Sequence, residues 1–125
     1  MIHHESLHQR ALVEWASMAH HHHISGKIGD YLIAIPNGGR RGETEAAILK
    51  AEGVKAGVSD LFLAVPMGAF HGLWIEMKIK PNKVTESQIA WITRMASVGY
   101  AAIVCWSCDE AREAILSYLN MKTAP

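Results

Sequence analysis

The chain has two cysteines among its 125 residues, too few for a disulfide framework in a domain of this size. It carries no excess charge of either sign. Twelve Lys and Arg balance twelve Asp and Glu, so net charge singles out no class of partner. It has no long apolar run either: the longest, Tyr100–Trp106, falls far short of the roughly 20 residues a membrane-spanning helix needs. Where a signal peptide would place its apolar region stand His3, His4, Glu5 and His8. Internal repeats, linkers and low-complexity stretches are missing as well. What is present is a chain half hydrophobic and 19% charged, the balance of a folded domain rather than a disordered tail. At this length one domain spanning residues 1–125 is expected, burying roughly 70% of the surface its unfolded chain exposes. The expected location is intracellular.

Three segments carry a helix-start signature. Ser6 with Gln9, Thr85 with Gln88 and Ser107 with Glu110 each fit the capping box, in which two side chains satisfy each other's backbone donors. Apolar residues then recur at helical spacing. They are Leu7, Ala11, Leu12, Trp15 and Met18 in the first helix, and Ile89, Ile92, Met95 and Ala96 in the second, stopped by Gly99. The last has Ala111, Ala114, Ile115, Tyr118 and Leu119. A further helix is predicted over Glu43–Glu52, closed by Gly53. Strands are predicted over Tyr31–Ile35, Asp60–Val65, Leu73–Ile79 and Tyr100–Trp106, the last apolar throughout as a strand covered on both faces would be. Residues Pro66 to Gly72 read as a hairpin loop. The order is helix, strand, helix, strand, strand, helix, strand, helix, an α/β arrangement with a mixed four-stranded sheet flanked by helices.

One group of residues carries chemistry. Asp60 opens a strand, and Glu76-Met77-Lys78 lies in its hairpin partner. Side chains two apart on a strand share a face, so Glu76 and Lys78 project together, and antiparallel pairing can set Asp60 beside Glu76. Converging carboxylates repel unless a cation lies between them. All-oxygen ligands suit a hard ion such as Mg²⁺, which is held by only one or two carboxylates. A lysine beside that ion can orient or deprotonate a water, or neutralise charge building on phosphorus. The bland alternative is a turn-capping Asp60 and a solvated Glu76–Lys78 pair. The apolar neighbours Trp74, Ile75, Met77 and Ile79 weaken it, because unpaired charge is costly in such a strand.

An Asp followed by a hairpin and Glu-x-Lys is the PD-(D/E)xK nuclease pattern. The run from Ile35 through Pro36, Asn37, Gly38, Gly39, Arg40 and Arg41 resembles the VRR-NUC family. So do Leu49–Leu61, Glu76-Met77-Lys78, Ser87-Gln88 and the strand from Gly99 to Cys105. The chain departs from the family in carrying Gly57-Val58-Ser59-Asp60 where Gly-x-Pro-Asp is frequent, which alters the approach to Asp60 but keeps the carboxylate. The resemblance implies a restriction-endonuclease-like core and a Mg²⁺- or Mn²⁺-dependent DNA endonuclease. Standalone copies typical of bacterial viruses imply a homodimer acting on branched DNA such as four-way (Holliday) junctions, in the cytoplasm of a bacterium or bacterial host.

Position by position, the resemblance makes Asp60 and Glu76 metal ligands, with the backbone carbonyl of Met77 as a third, and Lys78 the catalytic lysine. Gln88 matches a glutamine contacting water or phosphate, although the capping box with Thr85 explains it equally well. Glu14 matches an acidic residue that the wider superfamily places on the first helix, where it would support the metal through water; otherwise it is a helix-surface glutamate. Arg41, Lys80 and Lys83 belong to a basic central segment that can contact DNA phosphates.

Other signals point elsewhere. His20–His23 has no second cluster to complete a zinc site and reads as a surface turn, and His71 as an exposed loop residue. Cys105-Trp106-Ser107-Cys108 at a strand-to-helix junction is the pattern of a thiol oxidoreductase, the main rival to a nuclease or to a non-catalytic junction-binding module. Trp15, Trp74, Trp91 and Trp106 are core or interface material.

Overall fold

The computed structural model describes residues 3–36 and 42–122. Four α-helices, α1 (His3–Met18), α2 (Glu43–Ala51), α3 (Glu86–Ser97) and α4 (Cys108–Leu119), alternate with four strands. The strands are β1 (Leu32–Ala34), β2 (Leu61–Leu63), β3 (Leu73–Met77) and β4 (Ala101–Cys105), and a 3₁₀ turn at Ile28–Asp30 precedes β1. They form one sheet in the order β1-β2-β3-β4, antiparallel across the first two pairings and parallel between β3 and β4. The mixed α/β sheet matches the expectation, with each strand trimmed by one or two residues at its ends.

The strand period of two sorts the side chains. Leu61 and Leu63 of β2 pair with Ile75 and Leu73 of β3, and all four are buried. Against this face lie Leu12 and Ala16 of α1 and Ala111, Ile115, Tyr118 and Leu119 of α4. The Tyr118 hydroxyl donates to the carbonyl of Val65 at 2.7 Å and pins α4 to the strand end. On the opposite face, Trp74 of β3 meets Phe62 of β2 at 4.4 Å and Trp91 of α3 edge-on at 5.2 Å between ring centroids. So α1 and α4 share one side of the sheet and α3 lies on the other.

Several local expectations need correction. Helix α1 is already formed at His3, so Ser6 lies inside it and forms no capping box with Gln9. The Thr85–Gln88 box is complete. Ser107 caps α4 by accepting from the Glu110 N–H at 3.0 Å, but Glu110 returns its bond to the N–H of Trp106 rather than Ser107. β4 is an edge strand with Ile103 exposed, because β3 is its one strand neighbour among the described residues. Helices α2 and α3 bury no residue, and Leu7, Met18 and Ile89 of the predicted core stripes are exposed.

Candidate active site

The β2–β3 register sets Leu61 opposite Ile75, which places Asp60 opposite Glu76 one step further along. Directly opposed residues hold their Cβ atoms about 5 Å apart on one face of the sheet. Asp60 is fixed there from both sides. Its carbonyl accepts from the N–H of Ile35, extending the β1 pairing at 2.8 Å, and its carboxylate oxygen Oδ2 accepts from the N–H of Met77 at 2.7 Å. Glu76 alternates with Ile75 and Met77 and is 2% exposed, the sole charged residue among the buried described residues. Lys78, half-buried, continues the strand with its N–H donating to the carbonyl of Cys105 at 2.9 Å. Met77 lies between the two, with its backbone beside Asp60.

This neighbourhood raises the Glu76 pKa from 4.5 to about 9. Burial is the largest cause, followed by the hydrogen bond shared with the Asp60 carboxyl and the repulsion between the two. Lys78 opposes the shift and Glu5 adds to it. Glu76 therefore keeps its proton at neutral pH. Glu76 Oε1 is buried and has no hydrogen-bond partner. A pair of oxygens bound by a proton, with a further oxygen unsatisfied, has the donor chemistry of a hard divalent cation's site. Among the described residues no three His, Cys, Asp or Glu side chains form a closed metal cage.

Gln88 reaches Glu76 from α3, on the face of the sheet that Glu76 shares with Trp74. Its Oε1 accepts from the N–H of Thr85 at 2.9 Å, while its Nε2 donates to Glu76 Oε2 at 3.3 Å. The two readings of Gln88 are thus compatible: the carbonyl end of the amide caps α3 and the amino end touches the carboxyl pair. Gly57 allows α3 to sit this close. Its φ of +87° suits glycine, and a Cβ there would lie 2.3 Å from the carbonyl oxygen of Ser87.

Glu14 does not join the group. It is exposed on α1, nine residues from Glu5 and hence on the opposite side of the helix. The α1 acid that acts on Glu76 is Glu5, whose Oε2 accepts from Asn82 Nδ2 at 2.8 Å. A helical wheel would have found it, since Glu5 lies seven residues before the buried Leu12 and shares its stripe. Lys80 and Lys83 are exposed in the segment joining β3 to α3, and Arg41 lies outside the described residues.

The dithiol reading fails on burial. Cys105 is 1% exposed, and burial, helped by Glu110, pushes its thiol up to about 12. Burial raises the Cys108 thiol too, and a redox pair needs the opposite shift. Of the four histidines at 20–23, His21 bonds Asn120 at 2.8 Å while His22 and His23 are exposed, and His71 is exposed as expected.

An aspartate opening one strand, with Glu-x-Lys on its antiparallel neighbour at one end of a mixed sheet, is the PD-(D/E)xK class of α/β fold. The model of the VRR-NUC domain matches residues 4–109, so the chain belongs to the VRR-NUC family, a family of nuclease domains that cut DNA. A solved structure described as a VRR_NUC domain protein is similar over 98% of this chain and 93% of its own. The two share 30% identity at a TM-score of 0.84. No curated protein matches the chain.

Proposed function

We propose that this protein is a Mg²⁺- or Mn²⁺-dependent endodeoxyribonuclease with Asp60 and Glu76 as its metal ligands. The observation that carries the reading is the carboxyl pair itself, a buried Glu76 pressed against Asp60 with its Oε1 left without a hydrogen-bond partner. The backbone carbonyl of Met77 supplies a third ligand. A divalent ion held there would lower the pKa of a bound water and neutralise phosphate charge. Lys78 orients that water or offsets charge on the scissile phosphate. Gln88 holds Glu76 in register with α3 and presents its amide to the same space, and Glu5 supports the ion's waters from α1. Lys80, Lys83 and Arg41 supply phosphate contacts beside the cutting centre.

The substrate we propose is branched DNA, four-way junctions foremost, cut by a homodimer. The protomer supports a dimer in one respect: α2 buries none of its residues although Ala46, Ala47 and Ile48 lie on it, and Ile33 and Val54 are exposed as well.

The test is a panel of labelled junctions, flaps, nicked duplexes and single strands incubated with Mg²⁺ and Mn²⁺. Asp60→Ala, Glu76→Ala and Lys78→Ala are each expected to abolish cleavage while the fold survives. Full activity in any of them, or in excess EDTA, refutes the assignment. Binding to junctions without cleavage under either metal would make the protein a junction-binding module instead.

A further inference from the structure

We propose that the rings of Phe62, Tyr100 and His71 form a stacking platform for unpaired bases of the DNA strand being cut. The proposal rests on the reading above that places the cutting centre at Asp60 and Glu76. Helix α3 marks the face. Gln88 touches Glu76 and Trp91 touches Trp74, so the carboxyl and the indole two residues before it point the same way, about 7 Å apart along β3. Phe62 of β2 stands opposite Trp74 and two residues after Asp60. An aromatic pair is thus the neighbour of the carboxyl pair on one face of the sheet, with its ring centroids 4.4 Å apart. From there the rings continue away from the carboxyls. Phe62 meets Tyr100 at 5.9 Å between centroids, and Tyr100 meets His71 at 5.4 Å, both edge-on. Two glycines seat the outer rings against bare backbone. A Cβ on Gly72 would lie 2.6 Å from Cζ of Phe62, and one on Gly99 would lie 2.6 Å from Nε2 of His71. Trp91 packs on Trp74, whereas Phe62 and Tyr100 are half-buried and His71 is exposed. A phosphate held at the carboxyl pair leaves the adjoining nucleotides within reach of this row. The row offers them ring faces with no lysine or arginine among them, which suits bases rather than phosphates. Bases inside a duplex are already stacked on their neighbours, so the platform selects strands whose bases are unpaired.

The test measures DNA binding in EDTA, so that no strand is cut, by the anisotropy of a short fluorescein-labelled oligothymidylate and of a blunt duplex of the same length. Phe62→Leu and His71→Ala are each expected to weaken binding of the single strand by about fivefold or more, as loss of one base–ring stack does, and to leave duplex binding unchanged. A strand of abasic sites keeps the phosphates and lacks the bases, so it is expected to bind wild type and both variants alike. A 5-iododeoxyuridine in the single strand is expected to photocrosslink to Phe62, Tyr100 or His71, as mapped by mass spectrometry. Thermal unfolding reports whether each variant folds, and His71 is exposed, so its variant keeps the test open if Phe62→Leu does not. Wild-type single-strand affinity in the folded variants, equal loss toward single strand and duplex, or crosslinks confined to other residues overturns the proposal while leaving the nuclease reading intact. Loss of self-association in sedimentation with DNA binding unchanged would give the row to a second copy of the chain instead. Cleavage retained in Asp60→Ala and Glu76→Ala would move the cutting centre away from this end of the sheet, and the platform would then not serve the strand being cut.

Discussion

At the scale of single residues, the proton between Glu76 and Asp60 makes folding stability depend on pH. In the unfolded chain a glutamate releases its proton near 4.5, and in the folded protein Glu76 keeps it to about 9. Between those values the native state binds the extra proton, so stability is greatest at the acidic end and falls as pH rises, levelling off above about 9. One full proton corresponds to a slope of about 1.4 kcal/mol per pH unit, the upper bound for a single titrating group. Urea unfolding of the metal-free protein between pH 6 and 9 is expected to show this decline, and Glu76→Gln to flatten it. A stability that rises with pH would mean that Glu76 is ionised in the folded protein. If Mg²⁺ binds between Asp60 and Glu76 as proposed, it must displace the same proton, and its affinity is then expected to increase with pH over this window.

At the scale of elements, the site is made by helix ends meeting a strand pair, and Gly57 controls one of those meetings. Two glycines of the α2–β2 connection have positive φ, Gly53 at +102° and Gly57 at +87°. A Cβ on Gly53 would meet nothing within 4 Å, whereas on Gly57 it would lie 2.3 Å from the Ser87 carbonyl oxygen and 2.4 Å from its carbon. Gly53→Ala is expected to show only the conformational penalty, about 1–2 kcal/mol. Gly57→Ala adds a backbone collision that pushes the first turn of α3 away and takes Gln88 off Glu76. It is expected to destabilise by more than about 2 kcal/mol and to reduce cleavage, while Gly53→Ala keeps it. Equal unfolding midpoints in the two variants would show that α3 yields freely and that its distance from β2 is not set here. The start of α3 was readable in the sequence because both halves of its capping box are local. The start of α1 was not. Its Ser-x-x-Gln is a motif without the matching backbone, since the helix is already formed at His3. Starting the helix at Ser6 leaves Glu5 outside it, while Glu14 comes from the resemblance and lies on the exposed side of α1. The β2–β3 pairing was legible because a short loop forces neighbouring strands antiparallel, and with it the approach of Asp60 to Glu76. The Glu5–Asn82 bond was not, since no local pattern links two positions 77 residues apart.

At the scale of the whole molecule, the distribution of apolar surface separates what one protomer needs from what it leaves over. The core between the sheet and the pair α1 and α4 is closed, and its members were the periodic apolar residues of β2, β3 and α4. The stripe on α3 and the apolar residues of α2 follow the same periodicity, yet no residue of either helix is buried. Periodicity reports that a face is to be covered and is silent on which molecule covers it. Ile48 is 53% exposed on α2 and Ile33 49% exposed on β1, so neither can contribute much to the protomer's own stability. If a second copy covers them, Ile48→Asp and Ile33→Asp are expected to convert a dimer to monomers in sedimentation velocity while leaving the thermal midpoint at low protein concentration unchanged. The functional consequence is read on a supercoiled plasmid that extrudes a cruciform. A dimer with two cutting centres incises both strands of one junction before it dissociates and yields linear product. Monomeric variants with intact centres incise once and yield nicked circles. Dimers that survive both substitutions would place the contact elsewhere on the surface, and a wild-type protein that sediments as a monomer and still linearises the plasmid would show that paired incision needs no second subunit held in place.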